Sequence, residues 1–258
     1  MELRVLEQEK GENKLSFMVK DTTPSFVNAL RRIMLEEVPT MAIEEVSISK
    51  NNSILYDEMI AHRLGLLPLT TDLKSYEQAD DLADMEKLSA KNYVTLVLSA
   101  KGPGIVYASE LKSKDPAVKP VYPKMPIVKL LKGQALELEA KAVLGNGRMH
   151  TKWSPCLAYY KQKPNVEIGN VDNPEKIVEA THGNIVEIKN GKLEVIKDNL
   201  FKYDMAGVLE EASEGKIKVT YDNDFIFHVE SWGQLSCKEI LNEALDIYNQ
   251  NYDDFVSA

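Results

Sequence analysis

Residues 23–39, TPSFVNALRRIMLEEVP, carry the signals that begin and end an amphipathic helix. Thr23 is a favoured N-cap residue, and Pro24 occupies the first helical position, where proline is tolerated. Pro39 disfavours helical backbone in the residue before it and is expected to end the helix at Val38. The apolar residues between them recur at helical spacing and form one face. This face consists of Phe26, Val27, Leu30, Ile33 and Met34.

The segments on either side of this helix alternate apolar and polar residues, which is typical of β-strands. Residues 1–20 predict a hairpin with its turn at Gly11, and residues 41–60 predict strand, a turn at Asn51-Asn52, and strand again over Ile54–Tyr56. Further strands are expected at 94–98 and 136–144. Residues 72–92 indicate a surface loop with a short helix, and five prolines exclude long regular elements from 101–127.

Composition excludes several classes of protein. The 258 residues carry 31 basic and 40 acidic side chains, a net charge of −9, which argues against a free-standing nucleic-acid binder. Two cysteines, Cys156 and Cys237, are too few for a disulfide framework, a four-cysteine zinc site or an iron–sulfur cluster. No signal peptide and no apolar run of about 18 residues is recognisable, so we expect a cytoplasmic protein without a membrane span.

The region 171–219 contains a weak internal repeat. Residues 179–185 (EATHGNI) resemble residues 211–217 (EASEGKI), and each copy predicts a short helix, a turn glycine and a strand. Leu193–Ile196 supplies a strand between the copies. We interpret the region as a pseudo-symmetric insertion domain; chance similarity between two helix–glycine–strand junctions is the alternative.

The C-terminal segment predicts a helix with two apolar stripes. Ser236 and Glu239 form an S-x-x-E capping box before it. One stripe contains Leu241, Leu245, Tyr248, Tyr252 and Phe255, and the other contains Ile240, Ala244 and Ile247. Two stripes require two packing surfaces. This helix therefore buries either both stripes within its own domain or one of them against a partner. The aromatic residues favour a partner.

Motifs for nucleotide binding or hydrolysis are lacking, and none of His62, His150, His182 and His228 has a second histidine at metal-ligand spacing. A metal-dependent hydrolase using Asp57, Glu58 and His62 is a further alternative, and the Asp57-Glu58 pair before His62 would need a third metal ligand of unknown position. Cys156 is expected to be a small buried apolar residue. Arg148, His150 and Lys152 alternate before Trp153, which predicts either a basic ridge for an acidic or phosphate partner or a solvated strand face.

Four segments together resemble the family of RNA polymerase assembly subunits, which comprises the bacterial alpha N-terminal domain, its eukaryotic counterpart and the archaeal D subunit. Residues 26–35 (FVNALRRIML) are similar to the first dimerisation helix of that family. Residues 57–69 (DEMIAHRLGLLPL) and 147–155 (GRMHTKWSP) resemble two further family segments, and the tail resembles the second dimerisation helix.

The resemblance implies an α+β fold with three parts. These are an alpha-N-terminal-domain-like dimerisation domain (1–45 plus 216–258, with a hairpin at 217–229), a second, mainly β domain (46–156) and a ferredoxin-like insertion (157–215). Family members with a cluster in the insertion carry two sets of four cysteines. The corresponding positions here hold no cysteine, so we expect no cluster, no other cofactor and an apolar filling instead. These positions are Val171, Pro174, Ile177, Thr181, Tyr203, Ala206, Leu209 and Ser213.

The resemblance also implies a non-catalytic role within DNA-directed RNA polymerase. The chain would pair with the small L subunit and nucleate assembly of the large catalytic subunits, without direct contact to DNA. The implied dimer interface consists of Phe26, Val27, Leu30, Ile33, Met34, Leu241, Leu245, Tyr248, Tyr252 and Phe255. The implied large-subunit contacts are Asn28, Arg31, Arg32, His62, Arg63, Arg148, His150, Lys152 and Trp153. A ferredoxin-related redox adaptor is the alternative, favoured by the repeat and opposed by the missing cysteines.

Overall fold

In the computed structural model, which describes residues 2–9, 13–79, 88–89 and 91–257, the chain forms two compact units of mixed α+β structure. Unit 1 comprises Met1–Gln8, Ser16–Asn28 and Tyr159–His228. Unit 2 comprises Glu9–Leu15, Ala29–Ala158 and Val229–Ala258. Most of the expected insertion lies in unit 1 and the expected second domain lies in unit 2; the three-domain division itself stays a prediction.

Twelve strands and six helices are formed by the described residues. The strands are β1 Glu2–Glu9, β2 Lys14–Lys20, β3 Thr40–Asn51, β4 Tyr93–Lys101, β5 Gly104–Tyr107, β6 Lys112–Ser113, β7 Pro126–Leu130, β8 Ala135–Gly145, β9 Cys156–Ile168, β10 Val186–Lys189, β11 Lys192–Val195 and β12 Ile217–Ser231. The helices are α1 Pro24–Glu36, α2 Asp57–Gly65, α3 Pro174–Ala180, α4 Lys197–Lys202, α5 Ala206–Ala212 and α6 Cys237–Ser257. None of these helices combines the length and hydrophobicity that a membrane span requires.

Unit 1 contains most of a four-stranded sheet, whose strand order is β1–β2–β12–β9. Phe17 and Phe227 stack within it, with ring centroids 4.9 Å apart. The resemblance implied a hairpin over 217–229, which is wrong because β12 is one continuous strand. Its polar centre stays extended because Lys163 on β9 pairs with Asp224 at 3.3 Å, and the Thr22 amide donates to the Asn223 carbonyl at 3.1 Å.

The internal repeat is present as two equivalent helix-to-strand junctions in unit 1. After α3, His182 and Gly183 adopt left-handed φ values of 50° and 66°; after α5, Glu214 and Gly215 adopt 54° and 80°. A left-handed pair lets the chain leave the helix and reverse into the following strand. The small core beneath is apolar, as expected for Ile177, Ala206 and Leu209, which are buried.

Unit 2 is built on an antiparallel sheet in the order β3–β8–β4–β6. Its apolar face packs with α2, whose Ile60 and Leu64 are buried in the same core. The sequence predicted that strand resumes over Ile54–Tyr56; this is wrong, because these residues lead into α2. The exposed acidic residues Asp57 and Glu58 fall in its first turn, where they favour a helix.

The sequence also predicted the N-terminal hairpin, the ends of α1 and two strands of unit 2. The N-terminal hairpin is confirmed as the adjacent strands β1 and β2, while its turn residue Gly11 lies outside the described residues, as does much of the predicted loop at 72–92. Helix α1 ends at Glu36, two residues before the predicted end, and Thr23 Oγ1 caps it by accepting from the Phe26 amide at 3.4 Å. Strands at 94–98 and 136–144 are confirmed as parts of β4 and β8.

Candidate subunit-interface surfaces

Helix α6 begins with the predicted capping box. The Ser236 amide donates to Glu239 Oε2 at 2.8 Å, and the Glu239 amide donates to Ser236 Oγ at 3.3 Å. The hydrogen bonds from Ser236 hold the pKa of the Glu239 carboxyl below its usual value. The start of the helix is anchored in unit 2, because Ile240, Leu241 and Ala244 are buried.

The second half of α6 is exposed although it is apolar. Tyr252 is 61% exposed and Phe255 is 82% exposed, and Val256 beside them is also exposed. Together with Ile33 and Arg32 of α1, these aromatic residues line an open groove of about 360 Å³. We call this groove the tail groove; it is lined by Ala29, Arg32, Ile33, Glu37, Arg148, Tyr248, Asn251, Tyr252 and Phe255.

Glu37, which directly follows α1, links this helix to Arg148 and to α6 around the tail groove. Its carboxylate accepts from Arg148 Nη2 at 2.6 Å and from Asn251 Nδ2, on α6, at 3.1 Å. The Arg148 amide also donates to the Glu36 carbonyl at 3.0 Å. Gly147 makes this approach feasible, because a Cβ there would lie 2.2 Å from the Leu35 carbonyl oxygen. The exposed end of α6 is therefore held in a defined position.

Only part of the predicted dimer interface lies on a free surface. Val27, Leu30 and Met34 have almost no exposed surface in the chain itself and belong to its core. Their place in a dimer interface stays a prediction. Leu241 is buried as well, whereas Phe26 and Leu245 are half-buried. Tyr248, Tyr252 and Phe255 line the tail groove, together with Ile33, which is itself buried at 5% exposure.

The predicted basic ridge at 148–152 does not form, because residues 151–153 make a turn of 3-10 helix. His150 Nδ1 accepts from the Lys152 amide at 3.0 Å and caps that turn. Lys152 Nζ donates to the Ile43 carbonyl at 2.9 Å, pairs with Glu44 and lies 4.3 Å from the Trp153 ring centroid. Trp153 is buried. Lys152 and Trp153 therefore stabilise the fold of the chain itself. Arg148 and His150, by contrast, are exposed.

The remaining residues predicted to contact large subunits lie on two helices. On α1, Asn28 and Arg31 are half-buried, and Arg32 is exposed and pairs with Glu36 at 3.3 Å. On α2, His62 and Arg63 are exposed.

A second exposed apolar surface surrounds α2, and sequence reasoning missed its extent. Ile54 is 81% exposed and Tyr56 is 80% exposed, directly before the helix. Arg63 lies among these groups, with Nε donating to the Ile127 carbonyl at 2.9 Å and Nη2 to the Pro126 carbonyl at 2.7 Å. We call this the α2 surface; its exposed apolar members are Ile54, Tyr56, Met59, Leu66, Ile105 and Met125. The signal in the sequence was the run of apolar residues around a polar turn, which we assigned to strand.

The described residues do not assemble a catalytic or metal site at α2. Asp57 accepts from Asn51 Nδ2 at 2.7 Å and caps the preceding turn, while Glu58 and His62 point from an exposed helix face. Across the described part of the chain, no three His, Cys, Asp or Glu residues group as metal ligands would. Cys156 is buried, as predicted, and burial raises the pKa of its thiol to about 12, which opposes a nucleophilic role.

Comparison with known proteins agrees with this picture. Residues 46–155 match the family model of the RNA polymerase Rpb3/RpoA insert domain, a range that nearly coincides with the predicted second domain. The chain is 39% identical to DNA-directed RNA polymerase subunit Rpo3 of Pyrococcus furiosus, over 100% of this chain and 96% of the relative. It is 38% identical to subunit Rpo3 of Methanothermobacter thermautotrophicus, over 97% and 96% of the two chains. The chain therefore belongs to the Rpo3 family of DNA-directed RNA polymerase subunits.

Proposed function

We propose that the chain is a non-catalytic assembly-platform subunit of DNA-directed RNA polymerase. The names of its full-length relatives support a place in that enzyme. The exposed aromatic end of α6, with Tyr252 and Phe255, is the observation that carries the proposal. Exposed apolar groups in one contiguous groove mark a surface that another protein covers.

The two exposed surfaces suit two different partners. The tail groove is proposed to receive the small L subunit, since aromatic residues are enriched at the centres of stable interfaces. The α2 surface is proposed to contact the large catalytic subunits. The exposed His150 and Arg148 are proposed to contact them as well, and Arg148 also lines the tail groove. A net charge of −9 supports a position without direct contact to DNA, because phosphate binding requires basic surface.

The insertion is proposed to be ferredoxin-like in fold and to hold no iron–sulfur cluster or other cofactor. Its cluster-equivalent positions include Ile177 and Leu209, which pack in the unit 1 core. Thr181 and Ser213, the last position of each set, are buried hydroxyls: Thr181 Oγ1 donates to the Ile177 carbonyl at 2.9 Å, and Ser213 Oγ accepts from the Ile217 amide at 2.9 Å. Iron analysis and a visible spectrum of anaerobically purified protein test this; stoichiometric iron would contradict it. The comparisons give no support to the redox-adaptor alternative.

Stepwise reconstitution with purified subunits tests the assembly role. Phe255→Asp should abolish co-purification with the L subunit, because a charge in a buried apolar contact costs several kcal/mol. Tyr56→Asp should leave that heterodimer intact and weaken its joining to a large subunit. Tyr221→Asp, at an exposed tyrosine of unit 1, is the control and should change neither step. Normal assembly of both test variants would refute the proposal.

A further inference from the structure

Unit 1 contains a cavity of about 670 Å³ that the proposed assembly role does not use. Its wall is formed by residues of β1, β2, β9, β12 and α4. Five of the lining side chains are cationic and two, Glu7 and Asp198, are acidic. The cationic residues are Arg4, Lys20, Lys163, Lys197 and Lys202. The lining therefore carries more basic than acidic side chains, within a chain of net charge −9.

Three of the five cations have acidic partners. Lys20 pairs with Glu2 at 3.0 Å, Lys202 with Glu7 at 3.1 Å, and Lys163 with Asp224 at 3.3 Å and Asp222 at 3.8 Å. Among the residues that the structure describes, neither Arg4 nor Lys197 has an ion-pair partner. Arg4 lies on β1 and Lys197 begins α4, so the two unpaired charges approach the cavity from different elements.

The remaining polar groups of the cavity are fixed in place. Ser16 Oγ lies 2.9 Å from His228 Nδ1, and the His228 ring stacks on Tyr159 with centroids 4.9 Å apart. His228 Nε2 is buried in the wall of the cavity. Burial lowers the pKa of His228, and the charge of Lys161 lowers it further. Behind the cations, the wall therefore consists of the neutral His228 ring and the Ser16 hydroxyl, and their mutual contact fixes the orientation of both.

We propose that this cavity binds a small anion that carries two or more phosphate groups, with Arg4 and Lys197 as its principal ligands. The guanidinium offers paired donors that match phosphate oxygens, and the ammonium offers a compact second charge. The volume falls in the range of small-molecule sites and exceeds what a single phosphate fills. Binding would tie α4 to the sheet and stabilise unit 1 in proportion to ligand concentration.

Isothermal titration of the full chain with inorganic tripolyphosphate, and separately with ATP, tests the proposal. We expect saturable one-to-one binding of tripolyphosphate that weakens at least about tenfold in the variant R4Q/K197Q, since two charge-assisted contacts are lost. The control variant K101Q/K132Q removes the same charge from exposed lysines of unit 2 and should bind normally. The ATP arm decides the source of the phosphates: tighter binding of ATP indicates a nucleotide, and equal or weaker binding indicates an inorganic polyphosphate.

Histidine NMR signals give an independent readout. Of the four histidines, only His228 lines the cavity, so tripolyphosphate should shift its ring signals and leave those of His62, His150 and His182 in place. Three results would overturn the proposal: no saturable binding, equal weakening in both double variants, or preferential binding of a single-stranded RNA oligonucleotide. None of them bears on the subunit interface, so this site and the assembly role fail or stand separately.

Discussion

Replacement of Phe255 by alanine is the most direct quantitative test of the tail groove. The ring is 82% exposed in the isolated chain. A phenylalanine presents roughly 200 Å² of surface, so about 160 Å² is available to a partner. At about 25 cal/mol per Å² this is an upper limit of about 4 kcal/mol. Alanine retains part of the contact and the partner covers the ring incompletely, so about half of that free energy should be lost, which corresponds to about 30-fold weaker binding.

The assay is a dissociation constant measured between the full chain and the L subunit, together with urea unfolding of the chain alone. The free energy of unfolding should change by less than about 0.5 kcal/mol, because an exposed side chain contributes little to the fold. Tyr221→Ala, at a half-exposed position of β12, is the matched control and should leave binding unchanged. If Phe255→Ala binds the L subunit as the parent does, the groove is not the interface. If Phe255→Ala unfolds the chain, the Phe255 side chain contributes to the fold and the argument from its exposure fails.

Two further predictions concern unit 2. Gly147→Ala should lower the free energy of unfolding by about 1–3 kcal/mol, because its Cβ would overlap the Leu35 carbonyl oxygen at 2.2 Å; Gly104→Ala, with no atom within 4 Å of the new Cβ, is the control, and equal urea midpoints would contradict the argument. Burial raises the pKa of Cys156 from 9.0 to about 12, so the folded chain keeps a proton that the unfolded chain releases. The contribution of Cys156 to the free energy of unfolding is therefore complete below pH 9 and is lost as the pH rises toward 12. Above pH 9, the urea midpoint should fall less steeply with pH in Cys156→Ala than in the parent chain. Parallel curves of midpoint against pH for the two proteins would exclude this effect.

Local signals in the sequence were sufficient wherever a few neighbouring residues decide the structure. The capping residues Thr23 and Ser236, with Glu239, mark two helix starts because their side chains bond to amides three residues away. The junctions after α3 and α5 were recognisable because each ends in a glycine that accepts a left-handed φ.

The same reasoning failed where distant residues compete for a segment. Asp222 and Asp224 lie at the centre of the expected hairpin at 217–229, yet Lys163 on a neighbouring strand pairs with both in an extended segment. Lys152 looks like part of an exposed ridge, yet it is engaged by Glu44 and by the ring of Trp153. Partners at long sequence separation leave no periodic trace in the segment that they stabilise.

The sequence by itself determined the α+β class, the positions of α1 and α6, and the family. Tertiary structure alone decided which apolar faces remain free: Leu30 and Tyr252 belong to the same predicted interface, but the first is buried in its own chain and the second is exposed. It also decided that Glu37 joins Arg148 to Asn251, residues 111 and 214 positions away from it. The physical reason is that periodicity shows that a face must be buried, whereas the arrangement of the whole chain determines how much of it already is.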